Sequence, residues 1–255
     1  MELRVIGCHG GETPRHRTCA FLINDRVAID AGSLTSGLEI AEQAKLEACL
    51  VSHAHLDHVR DLATLADNRC QLECPPLIVA ATKATLHQLQ KYFFNNELWP
   101  DFTVIPSPAY PTLRFVELTP ERPCDVNGLS VSAIMVSHTI DCSGFIVEGA
   151  DGAISYSGDT GPTDRMWELL NRQKNLRACL TEVSFPNRQQ RIATLSGHHT
   201  PRTLAEDLQK YRAPMDLPTL LYHIKPLFQA EVERECAELK GLNLHVLKLD
   251  EHFIL

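Results

Sequence analysis

With 255 residues, 44% of them hydrophobic and 22% charged, the chain is long enough to bury a full core and requires no second domain. It carries 24 Lys and Arg against 32 Asp and Glu, a net charge of -8, with no basic run that would track a phosphate backbone. That balance argues against a long nucleic-acid polymer as partner. A small anionic substrate stays possible, because bound divalent cations reverse the local field.

The first residues, MELRVIGCHGG, show no basic region followed by an apolar core, so no signal peptide is expected. No apolar stretch approaches the roughly 20 residues that span a bilayer. The nine cysteines are odd in number and scattered, which suits a reducing cytoplasm better than a disulfide framework. Cys70 and Cys74 lie close together, as CQLEC, but no second pair stands at zinc-site spacing, and both are read as structural thiols.

In chain order, LRVIG, CAFLIN and RVAID read as strands, followed by a helix over residues 34–44. The strand ACLVS precedes a helix over 57–67. PLIVAA precedes a helix over 82–94 with Thr82 as its N-cap. IPSPAYPTL and TPERPCDVNG read as loops around the strand LRFVEL. LSVSAIMVS, GFIVEG and AISYSG are the next strands, then a helix over 164–173 with Thr163 as its start signal. RACLTEV is followed by a loop over 186–197 and a helix over 201–211, entered through Thr200 with Pro201 at the first helical position. TLLYHI, a helix over 229–239 and LHVLKL complete the chain. Strands come first in each half and helices later. The order favours one α/β domain over residues 1–255, with a sheet-on-sheet core covered by helices, over a doubly wound parallel sheet.

The chemistry-bearing segment is SHAHLDHVRDL, directly after ACLVS. Residues two apart on an extended segment point the same way, so His53 and His55 can converge on one ion. Asp57 and His58 fall where the next helix begins, turned towards a second position. Imidazole and carboxylate are the donors that Zn²⁺ and similar ions accept. An accidental His-rich turn is the bland alternative, and anchoring at a strand end argues against it.

HAHLDH resembles the HxHxDH signature of the metallo-β-lactamase superfamily of hydrolases. The resemblance implies a four-layer αβ/βα sandwich, an α/β (α+β) fold, with a two-metal site at one edge of the sheets. Further stations follow in order: Asp30 in IDAGS, supporting the ligands from behind; His138 in VSHT; Asp159 in YSGDT, bridging the ions; and His223 in LYHIKP. His53, His55 and His138 would hold one metal and Asp57, His58 and His223 the other, with Asp159 between. Two cations about 3.5–4 Å apart repel strongly unless anions are shared between them, which agrees with that division. Two divalent ions are therefore the implied cofactors, with zinc the expected metal and manganese or iron also suited to such ligands.

The superfamily covers β-lactams, thioesters, nucleic acids and cyclic nucleotides, so fold alone leaves the substrate open. HLDHVRDL, FNNELWPDF, EVSFPN, SGHHTP and HIKP together resemble segments of the class II 3',5'-cyclic-nucleotide phosphodiesterases. The resemblance implies attack of a metal-bridging hydroxide on the phosphorus of cAMP or cGMP, giving the 5'-nucleotide. A tRNA 3'-processing type of phosphodiesterase, a thioester or lactam hydrolase, and a non-enzymatic binding scaffold are the alternatives. The chain departs from the family pattern at Asp61, where a Gly is usual, and at His199. A Gly at 61 would permit a positive φ or close packing.

Three residues are candidates for the chemistry beyond ligation. Asp57 is one. By the resemblance His198 is a general acid for the departing oxygen, with a plain helix-flanking histidine as the alternative. Lys225, two residues past His223, is a cation for the phosphoryl oxygens or a solvated surface lysine. His199 is read as facing solvent or packing beside His198. Phe94, Trp99 and Phe102 are weighed as a base-binding wall against ordinary core packing, which is the usual role of such aromatics. Arg188 and Arg191 are weighed as substrate contacts from a loop. A homodimer is the assembly expected by default.

Overall fold

The structure, a computed structural model, describes residues 1–212 and 217–255. Its first half runs β1 (Glu2–Gly7), β2 (Ala20–Ile23), β3 (Val27–Ile29), α1 (Leu34–Gly37), α2 (Ile40–Gln43), β4 (Ala48–Leu50), α3 (Leu56–Val59), α4 (Asp61–Gln71), β5 (Leu77–Ala81) and α5 (Lys83–Tyr92). A short hairpin of β6 (Pro106–Ser107) and β7 (Tyr110–Pro111) leads into β8 (Leu113–Glu117). The second half holds β9 (Cys124–Val126), β10 (Leu129–Met135), β11 (Ser143–Gly149), β12 (Gly152–Tyr156), α6 (Arg165–Leu170), β13 (Leu176–Glu182), α7 (Gln190–Ser196), α8 (Pro201–Leu208), β14 (Thr219–Tyr222), α9 (Gln229–Ala237) and β15 (Leu244–Val246). Finally β16 (His252–Ile254) returns to pair with β1.

The strands form two seven-stranded sheets among the described residues, in the orders β16-β1-β2-β3-β4-β5-β8 and β15-β14-β13-β12-β11-β10-β9. Each sheet is antiparallel at one end and parallel at the other. The parallel pairs are the ones joined through helices, as the longer crossover requires. Phe21, Leu50, Phe145 and Tyr156, from both sheets, share one buried core. A second core joins the first sheet to α1, α3, α4 and α5 through residues such as Leu34, Leu62 and Leu89. A third joins the other sheet to α6, α8 and α9 through Trp167, Leu204 and Val232. Three apolar interfaces between four layers make the helix-covered, sheet-on-sheet core expected from the order of elements, and the αβ/βα sandwich implied by the resemblance. No helix among the described residues is long and apolar enough to cross a membrane.

Several elements differ from the sequence expectation, and each difference has a local cause. The helix expected over 34–44 breaks at Leu38 and Glu39, both extended. Gly37 packs so close to Ile6 that a Cβ would lie 2.4 Å from it, and a capping box between Glu39 and Glu42 restarts the helix. The helix expected over 57–67 is interrupted at Arg60, where the Ala31 carbonyl accepts the Asp61 N–H at 2.8 Å. The stretch 186–197 is a 3₁₀ turn followed by α7, so it is not the loop expected. Asp164, not Thr163, stands at the N-cap of α6. The pieces β6, β7 and β9 form inside segments read as loops, and β16 lies beyond the last expected strand. Thr82 and Thr200 cap their helices as expected, each accepting a backbone N–H three residues on.

Candidate metal centre

The centre lies where the ends of β4, β10, β12 and β14 come together. His53 and His55 leave β4 on extended backbone, and Asp57 and His58 sit in α3. This short helix is held against the turn after β3: the Ala31 N–H donates to the His58 carbonyl at 2.7 Å. Gly32 permits that approach, since a Cβ there would stand 2.0 Å from the Asp57 carbonyl oxygen. Gly10 does the same beside His223, whose carbonyl oxygen would lie 2.3 Å from a Cβ.

The ring nitrogens converge in two groups. His53 Nε2 and His138 Nε2 lie 3.0 and 3.2 Å from His55 Nδ1. His58 Nε2 is 3.3 Å from His223 Nε2, and Asp57 Oδ2 is 3.4 Å from that same His223 atom. Asp159 Oδ2 lies 3.2 Å from both His58 Nε2 and His223 Nε2 and 3.7 Å from His53 Nε2, so its carboxylate stands between the groups. The buried Asp159 Oδ1 has no hydrogen-bond partner.

The opposite ring nitrogens explain why these contacts are not ordinary hydrogen bonds. His58 Nδ1 donates to Asp30 Oδ2 at 2.7 Å, and His138 Nδ1 to the Gly197 carbonyl at 3.0 Å. His53 Nδ1 is 3.0 Å from Ser52 Oγ, which itself donates to Asp30. His223 Nδ1 is 2.8 Å from Ser184 Oγ, which donates to Glu182. With the Nδ1 protons spent outward, each Nε2 presents a lone pair inward, and facing lone pairs are repulsive unless a cation lies between them. Tetrahedral zinc with Zn–N about 2.0–2.1 Å has ligand–ligand edges of about 3.4 Å, close to the separations found. The residues fit a divalent metal centre.

The electrostatics point the same way. Burial pushes the His53, His55, His138 and His223 imidazoles down, keeping them neutral as ligands must be. Burial opposes a charge on His58 too, but Asp159 and Asp30 outweigh it and raise that imidazole well above its ordinary value. Burial raises the Asp57 carboxyl, yet the bond to His223 and the charges of His58 and His223 bring it below the usual carboxylate range. His58 apart, the carboxylates face imidazoles whose charging burial disfavours, and a bound cation would supply the missing positive charge.

Two of these residues hold backbone conformations that non-glycine residues rarely adopt. Asp30 has φ 58° and His223 φ 70°. Such strain costs on the order of 1–3 kcal/mol per residue and gathers at functional sites. Asp30, fully buried, accepts from the Ser52 N–H and Oγ, His58 Nδ1 and the Tyr156 hydroxyl, at 2.6–2.8 Å.

His198 joins the cluster. Its ring stacks on His223 at 5.1 Å and meets His138 edge-on at 5.1 Å. Its Nδ1 donates to Glu182 Oε1 at 2.9 Å, and burial pushes the imidazole down to about 4. Glu182, absent from the sequence reading as a functional residue, is the hub here. It also takes the Thr160 and His199 N–H groups and the Ser184 hydroxyl, while burial and Asp159 push its carboxyl up to about 7. The one signal for it in sequence was its place in EVSFPN, at the end of β13.

Lys225 is half-buried beside the centre, and its charge is felt at His198 and His223. Among the described residues its ammonium forms no ion pair. His199 does not face solvent: it is 0% exposed and bonds Thr203 Oγ1 at 3.2 Å. Asp61 needs no positive φ; it opens α4 and accepts from the Thr35 N–H and hydroxyl and the Ser36 N–H. Phe94 and Phe102 are buried in core, and Trp99 donates to the Ala63 carbonyl, so these aromatics form no open wall. Arg188 is bound to Glu231 and lies over Phe228, whereas Arg191 is exposed on α7.

A family model described as the beta-lactamase superfamily domain matches residues 26–224. The chain belongs to this superfamily. Among curated proteins, this superfamily member is 27% identical over 278 residues to a probable 3',5'-cyclic-nucleotide phosphodiesterase of Yersinia pestis, covering 90% of this chain and 79% of the relative. It is 28% identical over 270 residues to a 3',5'-cyclic-nucleotide phosphodiesterase of Aliivibrio fischeri, covering 86% of this chain and 80% of the relative. Among solved structures, unliganded yeast PDE1 superposes with a TM-score of 0.81 at 18% identity, over 98% of each chain. At that identity the superposition speaks to the fold.

Proposed function

We propose that this centre hydrolyses the phosphodiester of a 3',5'-cyclic nucleotide to the 5'-nucleotide. The observation that carries the reading is the pair of ligand groups facing each other across Asp159. The similarity, over most of the chain, to proteins named as cyclic-nucleotide phosphodiesterases supports it. His53, His55 and His138 would hold one divalent ion and Asp57, His58 and His223 the other, with Asp159 shared. Imidazole and carboxylate donors suit zinc, and manganese or iron as well. When bound, such ions supply a nucleophile at neutral pH and positive charge for the phosphoryl oxygens.

The chain's own residues do the rest. Asp30, Ser52, Gly197 and Ser184 fix the ring orientations, so the ligand lone pairs are aimed before any ion arrives. Cleavage breaks the bond from phosphorus to the 3'-oxygen, which leaves with the electron pair and takes a proton. His198 would deliver that proton from its inward nitrogen, its ring held in place by the bond from Nδ1 to Glu182. The free ammonium of Lys225 stabilises charge on the phosphoryl group.

The test is a substrate panel on metal-loaded protein: cAMP, cGMP, a linear phosphodiester, a tRNA precursor and a thioester. A cyclic nucleotide is expected to give the highest kcat/KM. Turnover of another member with neither cyclic nucleotide cleaved overturns the reading. His198→Ala is expected to lower kcat roughly 100-fold with little change in KM, because a proton donor acts in the transition state. An unchanged kcat leaves His198 a packing residue.

A further inference from the structure

A cavity of about 260 Å³ adjoins the metal motif. Ala54 and Leu56, which flank the ligand His55, form one side, and Ile140, two residues past the ligand His138, closes another. The far wall is α5, through Gln88, Leu89 and Tyr92, with Phe93 just past its end. Whole-ligand pockets run to about 300–1,000 Å³, so this one has the size for a single ring system attached to something bound outside it.

The lining is unusual for a surface. Leu56 is 62% exposed, and Tyr92 and Leu98 are each 60% exposed, gathered around one opening. Exposed large apolar side chains are ordinary when scattered; clustered at a cavity beside a reactive centre, they mark a place for an apolar ring. Besides the Tyr92 hydroxyl, the polar group among the lining side chains is the Gln88 carboxamide, whose Oε1 is buried without a hydrogen-bond partner. A carboxamide has a donor end and an acceptor end and presents either by turning about its last bond.

We infer that this cavity receives the purine base of the substrate, with Tyr92 and Phe93 against the ring and Gln88 bonding its polar edge. The inference rests on the cyclic-nucleotide reading above. Aromatic side chains stack on nucleobases of any identity, so they provide affinity without choice between bases. Gln88 pairs with either purine: adenine offers a donor beside an acceptor, and guanine offers an acceptor beside a donor. This subsite also takes over the role that Phe94, Trp99 and Phe102 cannot fill.

The experiment compares cAMP, cGMP and base-free ribose 3',5'-cyclic phosphate on metal-loaded wild type and on Gln88→Glu. Wild type is expected to favour both nucleotides over the base-free substrate by at least about tenfold in kcat/KM. Glutamate presents two acceptors, which match the adjacent N–H donors of guanine and leave adenine's ring nitrogen facing a carboxylate. The added charge lowers both rates, but the cGMP to cAMP ratio is expected to rise by at least about tenfold. Tyr92→Ala, at an exposed position that tolerates change, is expected to raise KM for both nucleotides. Equal turnover with and without the base, or a Gln88→Glu ratio and a Tyr92→Ala KM both at wild-type values, overturns the subsite and leaves the proposed reaction standing. Cleavage of neither nucleotide by wild type overturns both.

Discussion

Asp57→Ala is expected to lower kcat/KM for a cyclic nucleotide roughly 1000-fold, about 4 kcal/mol of transition-state stabilisation, while the protein stays folded. Asp57 is a partly exposed side chain in a short helix, and its Oδ2 faces His223 Nε2 at 3.4 Å. Removing it leaves no cavity in any of the three cores, so thermal unfolding should change little. The two ligand groups proposed above are built differently. His53, His55 and His138 lose nothing, whereas the other group keeps only His58, His223 and the shared Asp159. Elemental analysis of the variant should therefore fall from two equivalents of divalent metal per chain towards one. Wild-type rates with full metal content would refute the place given to Asp57.

Asp30→Ala should act differently, on stability as well as on activity. The carboxylate is fully buried and accepts from four donors belonging to β12, His58 and Ser52. Each buried donor left without a partner costs about 1–3 kcal/mol, so the loss should exceed about 4 kcal/mol. Total stability of a domain is only about 5–15 kcal/mol, and the variant should lie near its unfolding threshold. The measurement is urea unfolding of metal-free protein, which removes the contribution of ion binding to the native state. Asp30→Asn, which keeps one acceptor and tolerates φ 58°, should fall between the two. An alanine variant within about 1 kcal/mol of wild type would mean that Asp30 is not what holds these groups.

The contrast between the two aspartates marks how far local sequence carries. His53, His55, Asp57 and His58 could be read directly. An extended segment turns alternate residues to one side, and a helix start turns the next ones, so their convergence needs only about two turns of backbone. The strands around them could be read for the same reason, because alternation and β-branched runs are local. Breaks in the helices could not. Gly37 meets Ile6 and Asp61 gives its N–H to Ala31, and both are contacts with other elements.

The partners that aim the ligands were beyond any local signal. Tyr156 reaches Asp30 across 126 residues, and His223 faces His58 across 165. Glu182 becomes a hub only because β13 lies beside β12 and β14, which brings Thr160, Ser184 and His198 to one buried carboxylate. The cavity beside the motif exists only because residues of α3 and α5 line it together. Sequence by itself determined which side chains can bind metal and in what order they occur. Tertiary structure decided which nitrogen of each ring points inward and what stands behind it. It also decided where an apolar ring can rest, because lone-pair direction and cavity shape are set by neighbours far apart in the chain.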